Sequence, residues 1–470
     1  PSLFEPFLNL GNIYVDQKKY KDALVYYNHA INLNPNNSLL KFKLLSSFMH
    51  ICDWDGIEQR KSWLQDLVTE GDSFTLMHLE NNPLRELFRA RNTYREDYFC
   101  LADPIKLVRK NKIRVGYFSN SFFVHPTMIL LTRVLELHNK EEFEIYIYDF
   151  GKHQDDQYTK RIKACANQYH KVDGLSNPEL VNLARKDELD IGIDLMGYTK
   201  NNRAIIFSQR IAPIQVTYLD YPGTTGNESM DYILADGTLI PKEDEKFYTE
   251  QVIRMPHSFQ PNDDTLEPSN KTFERSELGI REDSFVFCNF GNNRKIQRRE
   301  FSIWMNLLLK RENSVLWLLE SNPDAKTNLI EEAQRNGLEA SRIIFSQSVP
   351  LRDHLSRQSC ADLALDTFNF SGGTMTSLAL KSGLPVLTMP GQNYASRMSS
   401  CDLSALGLHE LIAADEDDYA DKALRLSESR ENTLKLRKKI IGLKETAAYF
   451  NSKQYCVDLE SRFKEVISKQ

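Results

Sequence analysis

From Lys112 onward, strand-length apolar runs alternate with helix-length segments, and this alternation leaves few folds open. Ile113–Ser119 reads as a strand, Thr127–Leu137 as a helix and Phe143–Phe150 as a strand. A helix over Asp156–Ala166, a short strand at His170–Val172 and a helix over Pro178–Lys186, with Asn177 as its cap, continue the series. Leu189–Met196, Ile214–Leu219 and Tyr232–Ala235 are the next strands. Residues 256–283 are polar and irregular, with a linker expected around Gln260–Ser269. The pattern then restarts, with strands at Ser284–Phe290, Val315–Leu319, Arg342–Phe345, Asp362–Asp366, Pro385–Met389 and Leu411–Ala414. Such alternation buries parallel strands between helices on both faces, so two doubly wound α/β domains in tandem are expected, with a cleft between them. In these sheets ligands bind beyond the carboxyl ends of the strands, where strand order reverses.

One strand end is chemically explicit. The run ending at Asp366 feeds Ser371-Gly372-Gly373-Thr374, then a helix over Met375–Lys381 with Gly383 as its stop signal. Small residues at a helix start expose unpaired N–H groups at the positive end of the dipole, which is a ready anion site. A phosphate on Gly372, Gly373 and Thr374 is therefore expected; a plain tight turn is the alternative.

The flanks are helical. Phe7, Leu10, Gly11, Tyr14, Ala23, Tyr27, Ala30 and Pro35 fall on the landmarks of a tetratricopeptide repeat. A lone repeat cannot bury its own face, so further repeats are expected to precede Pro1. Leu39–Ile51 and Ile57–Val68 have helical spacing, broken by Cys52–Gly56, and Pro83–Arg91 adds another helix. Helices over Asp417–Glu428, Glu431–Ala447 and Ser452–Ser468 close the chain. The net charge of −6 argues against a nucleic-acid partner, and no apolar run is long enough to cross a membrane. Seven scattered cysteines without a CxxC pair point away from zinc or a disulfide framework and towards a reducing cytoplasm.

Several strand-end loops carry candidate chemistry. In Asn289–Ile296, Arg294 and Lys295 could neutralise a diphosphate, though most basic loops are simply solvated. His354 and Arg357 lie one helical turn apart, where a ring and a guanidinium could hold a nucleobase; a bland helix surface is the alternative. His125 precedes a helix start, which suits a general base, although a lone histidine is more often structural. Asp194 ends a strand beside Gly197-Tyr198-Thr199 and is either a catalytic carboxylate or the cap of its own turn. Leu219–Thr224 is another strand-end loop.

Taken together, RVGYFSNSFFVHPT (114–127), DLMGYTKNNRAIIFSQRIAPIQVTYLDYPGTTG (194–226), FCNFGNNRKI (287–296), NSVLWLLES (313–321), RIIFSQSVPLRDHLSRQSCADLALDT (342–367), GLPVLTMPG (383–391), LIAADEDDY (411–419) and NSKQYCVDLE (451–460) resemble one family. It is that of the tetratricopeptide-repeat O-linked N-acetylglucosamine transferases and the related spindly-type O-fucosyltransferases, family 41-like and of bacterial type. The resemblance implies a GT-B fold of two doubly wound Rossmann-like domains facing a cleft, behind an all-α repeat region. Residues 1–36 would be the repeat, 37–111 a helical connector, 112–265 the acceptor-side domain, 276–440 the nucleotide-sugar domain and 441–470 helices packing back on the catalytic core.

Carried over residue by residue, the resemblance implies roles. His125 matches a proposed base or acceptor-site histidine, Lys295 the lysine on the donor diphosphate, and Asn292 a neighbouring donor-site group. His354 matches a histidine stacking on uracil, with Arg357 beside it. Ser371, Gly372, Gly373 and Thr374 form the phosphate-binding helix start, and Thr199 and Leu219 line the sugar. Two positions depart: Leu378 stands for an acidic ribose contact and Leu351 for a ribose-contacting lysine. The activity implied is inverting, metal-independent transfer of GlcNAc from UDP-GlcNAc to serine or threonine of a protein bound through the repeats. The base would be His125, Asp194 or the donor phosphate. O-fucosyl or N-glucosyl transfer, a decayed repeat scaffold, and a small-molecule or lipopolysaccharide glycosyltransferase are the alternatives.

Overall fold

The structure is a computed structural model that describes residues 3–69, 71–108 and 110–470; Pro1 and Ser2, at the start of the expected repeat, lie outside the described residues. Two parallel sheets organise it. The first holds β1 (Ile113–Ser119), β2 (Phe143–Asp149), β3 (Gln168–Lys171), β4 (Ile191–Asp194), β5 (Ile214–Thr217), β6 (Tyr232–Ala235) and β7 (Gln251–Arg254) in the order β3-β2-β1-β4-β5-β6-β7. The second holds β8 (Phe285–Asn289), β9 (Ser314–Leu319), β10 (Ile343–Ser346), β11 (Leu363–Leu365) and β12 (Val386–Leu387) in the order β10-β9-β8-β11-β12. Strand order reverses at β1/β4 in one sheet and at β8/β11 in the other, so the chain is a GT-B pair of Rossmann-like domains preceded by helices. The inner strands read as near-continuous apolar runs because they are covered on both faces, and β4, β5 and β6 are buried throughout, whereas the edge strands β3 and β7 are more polar and only partly buried.

Some local readings are corrected. β7 went unforeseen: QVIR is too short to show a pattern. Leu411–Ala414 makes only a bridge, Thr388 to Ile412. The helix Asn177–Lys186 is capped by Ser176, not Asn177, because Ser176 and Glu179 bond reciprocally in a capping box. Ile57–Val68 is no single helix but two short pieces, Trp54–Glu58 and Trp63–Asp66. Asp53 caps the first by accepting from Gly56 N–H at 2.9 Å, so the expected break is instead a helix start. The polar stretch around Gln260–Ser269 is a packed crossover rather than a loose linker: Gln260, Asn262 and Asp263 are buried, and Lys381 Nζ donates to Asp263 O at 2.8 Å.

The repeat is the helix pair Glu5–Asp16 and Tyr20–Leu33. Gly11 lets them close, since a Cβ there would stand 2.3 Å from the Tyr27 ring. The next helix, Ser38–His50, hands the chain to the second domain. There Trp54 Nε1 donates to Ile296 O at 3.1 Å and its ring packs 5.1 Å from that of Phe301. The helix Pro83–Thr93 is wedged between both domains, where the buried Glu86 accepts from Asn393 Nδ2 at 3.2 Å. Burial raises the Glu86 carboxyl to about 8, so Glu86 is mostly protonated at neutral pH. At the other end, Ser452–Ser468 crosses back to the first domain, where Leu459, Phe463 and Val466 pack with Met128 and Leu131 of the helix Pro126–Leu137. These two straps fix the facing edges of the sheets.

Candidate active site between the two domains

The loops beyond β1, β4, β5, β8 and β11 line one cavity of about 550 Å³ at the domain boundary. A volume of this order suits a small organic ligand. Its second-domain wall is built by a 3₁₀ turn and a helix start. Asn293–Lys295 follows β8, with Asn292 Oδ1 accepting Arg294 N–H at 3.1 Å to fix the turn. That turn sends the Lys295 amine to the Ser371 carbonyl at 3.0 Å and over the Phe370 ring at 4.2 Å. Burial lowers the Lys295 pKa to about 8, opposed by Asp366 and helped by Arg294, so the amine stays mostly protonated at pH 7.

The glycine corner begins the helix Thr374–Lys381, one residue earlier than expected, with Gly373 as N-cap at φ 48°, ψ −118°. This backbone is open essentially only to glycine. Gly372 N–H is already spent on Ser399 Oγ at 3.0 Å, whereas the N–H groups of Gly373 and Thr374 have no protein partner among the described residues. The anion-competent amides are thus Gly373 and Thr374 rather than all three. Ser371 is buried and contributes its carbonyl, not its hydroxyl, which donates to Ala395 O at 2.8 Å.

Across the cavity stands the first-domain wall. His125 caps the helix Pro126–Leu137, its Nδ1 accepting Thr127 N–H at 3.3 Å. Thr127 Oγ1 in turn donates to Asp220 Oδ1 at 2.8 Å. Asp220 follows Leu219, whose φ of 80° is strained for a branched side chain; such strain gathers at functional sites. Burial raises the Asp220 carboxyl, while His125, Thr127 and Thr199 pull it back. Leu219, Asp220 and Thr199 all line the cavity.

The structure therefore brings His125, Thr199, Leu219, Asn292, Lys295, Gly372, Gly373 and Thr374 together on one cavity. Asp194 is not among its lining residues. Its Oδ1 accepts Met196 N–H at 2.8 Å and Gly197 N–H at 3.1 Å, which is the turn-capping role, and burial raises it to about 6. The cavity's first-domain carboxylate is Asp220 instead. His354 and Arg357 also lie back from the wall. His354 packs edge-on behind Phe290 at 5.1 Å and accepts from Arg357 Nε at 3.1 Å, and burial lowers its pKa to about 3. Leu351 and Leu378 face the other domain, joining Leu355 and Met375 in the apolar cluster around Met128. Sequence reasoning passed over Asp220, which reads as turn filler, and Phe290 and Phe370, which read as core. Among the described residues, one group could hold a metal ion: His138, Cys456 and Glu460, under the last helix and away from the cavity.

Comparison with known proteins supplies the family. The model of glycosyl transferase family 41 matches residues 93–267 and 264–459, and that of the tetratricopeptide repeat matches residues 5–37. A probable UDP-N-acetylglucosamine–peptide N-acetylglucosaminyltransferase SEC of Arabidopsis thaliana is 30% identical over 75% of this chain and 37% of its own length. The UDP-N-acetylglucosamine–peptide N-acetylglucosaminyltransferase of Caenorhabditis elegans is 24% identical over 87% of this chain and 47% of its own. The chain thus spans less than half of these curated relatives. A Thermobaculum terrenum O-GlcNAc transferase mutant shares the fold at a TM-score of 0.82 and 24% identity, covering 100% of this chain and 92% of that one. With two Rossmann-like sheets, a repeat and both catalytic segments matched, this chain belongs to glycosyl transferase family 41.

Proposed function

We propose that this chain transfers a sugar from a nucleotide diphosphate donor, GlcNAc from UDP-GlcNAc, to serine or threonine of a protein acceptor. The observation that carries this reading is convergence. The Lys295 amine and the free amides of Gly373 and Thr374 face one side of a cavity whose other side is His125 and Asp220. The cation and the helix start suit a departing diphosphate, whose charge grows as the glycosidic bond breaks. In this reading no metal is required for that charge, and the acceptor hydroxyl attacks from the opposite face, with inversion. His125, whose Nδ1 is taken by the Thr127 N–H, would orient the hydroxyl through its Nε2–H, and Asp220 would take the proton, in the place first considered for Asp194. The peptide-modifying names of the curated relatives support the acceptor class, as does the repeat, whose kind stacks into extended binding surfaces. Seven free thiols suit a cytoplasmic setting. No described helix is long and apolar enough to cross a membrane.

A second reading has its own observation: Leu351 and Leu378 put apolar groups where a nucleoside's polar contacts are expected, which favours a non-catalytic scaffold. A donor panel of UDP-GlcNAc, UDP-glucose and GDP-fucose, assayed for hydrolysis and for transfer to serine- and threonine-containing peptides, separates the two. The expected result is turnover with UDP-GlcNAc above the other donors. Turnover with none of them, and no thermal shift with UDP, would favour the scaffold.

A further inference from the structure

Arg294 is a cavity cation that the reading above leaves without a task. It follows Asn293 on the same 3₁₀ turn as Lys295, yet the two side chains part. Lys295 lies over the Phe370 ring at 4.2 Å, while the Arg294 guanidinium carbon lies 5.7 Å from the centre of the Phe74 ring. Those rings meet edge-to-face at 5.6 Å, so an aromatic pair stands between the cations. Phe74 belongs to the connector, and Tyr20 of the repeat and Asp72 of the connector also lie close enough to act on Arg294.

The guanidinium is poorly compensated. Its Nε is buried and has no hydrogen-bond partner, and it forms no ion pair among the described residues. Asp72 is engaged elsewhere, since its carboxylate accepts Phe74 N–H at 3.1 Å, Thr75 N–H at 3.3 Å and the Thr75 hydroxyl at 2.5 Å. A half-buried guanidinium whose Nε is shut away from water with no hydrogen-bond partner, and whose neighbouring carboxylate is engaged elsewhere, can take an anion, and its planar fork favours a carboxylate over a point acceptor.

We propose that Arg294 is the acceptor-side anion site of this cleft and receives an Asp or Glu carboxylate of an acceptor segment entering over the connector. The proposal rests on the glycosyl-transfer reading and adds the acceptor's chemical class: serine or threonine near an acidic residue. The donor's diphosphate belongs to Lys295 and the glycine corner, on the other side of the Phe74–Phe370 pair.

Binding tests it directly. Fluorescent serine-centred peptides carrying Asp, Asn or Lys at each flanking position in turn are titrated against the whole chain with UDP present. Wild type should bind one Asp peptide about tenfold or more tightly than its Asn twin, the scale of one charge-assisted contact. Arg294→Ala should erase that ratio, Arg294→Lys should keep part of it, and neither should alter UDP affinity. Equal or undetectable binding of the Asp and Asn twins in wild type overturns the proposal. So does loss of UDP affinity in Arg294→Ala, which would move the residue to the donor. Failure of the transferase reading looks different: acid-dependent binding persists while no donor is turned over.

Discussion

Lys295→Ala is expected to slow sugar transfer by roughly 10²–10³-fold, about 2.7–4 kcal/mol of transition-state stabilisation, while leaving the fold intact. The magnitude follows from what the amine does. It is half-buried, lines the cavity and has a single carbonyl partner at 3.0 Å, so its charge is available to a leaving phosphate. Folding should hardly notice, because burying an ammonium costs free energy and its removal relieves that cost. The test is kcat against the thermal midpoint: a fall in the first with no fall in the second. The same amine sets a pH limb. With burial holding its pKa near 8, Lys295 is charged below that value and neutral above it. Free-enzyme kcat/KM should therefore fall as pH rises through about 8, and Lys295→Arg, whose charge persists, should lose that limb. An unchanged rate in Lys295→Ala would remove the residue from the mechanism.

Gly373→Ala should be the second-largest effect. At φ 48°, ψ −118° an L-residue is strained by about 1–3 kcal/mol. Neighbouring atoms are not the obstacle, since an added Cβ would meet Met398 Sδ at an ordinary 3.4 Å. The backbone itself must turn, and with it the two N–H groups that start the helix. UDP affinity should drop about tenfold or more, the cost of losing charge-assisted hydrogen bonds, with a smaller loss of stability. Thr374→Val, which alters a side chain and spares the amides, should bind UDP nearly as wild type does. Calorimetric titration of UDP reads both; equal affinity in wild type and Gly373→Ala would show that the corner holds no phosphate.

The parts legible from sequence were those written in local pattern. Eleven of the strands were visible as short apolar runs, although Leu411–Ala414 imitated one. The glycine corner announced itself through residue type, because few sequences place Ser-Gly-Gly-Thr between a strand and a helix without a backbone reason. Lys295 was reachable from its place after β8. The remainder depends on contacts distant in the chain. Asp220 earns its position from the left-handed turn at Leu219, which LDYPG does not advertise. His354 looked open on its own helix, but Phe290, reached only by folding, stands in front of it. Arg294 read, with Lys295, as a cation for a diphosphate, but its guanidinium lies over Phe74 of the connector, a contact distant in the chain. The last helix belongs to the first domain's core although the second domain precedes it, since Leu459 and Phe463 find their apolar partners there.

A crystal structure with UDP bound is the most direct measurement. The account predicts β-phosphate oxygens within hydrogen-bond distance of Lys295 Nζ and of the Gly373 and Thr374 amides. UDP bound with its phosphates away from that amine and those amides would contradict it.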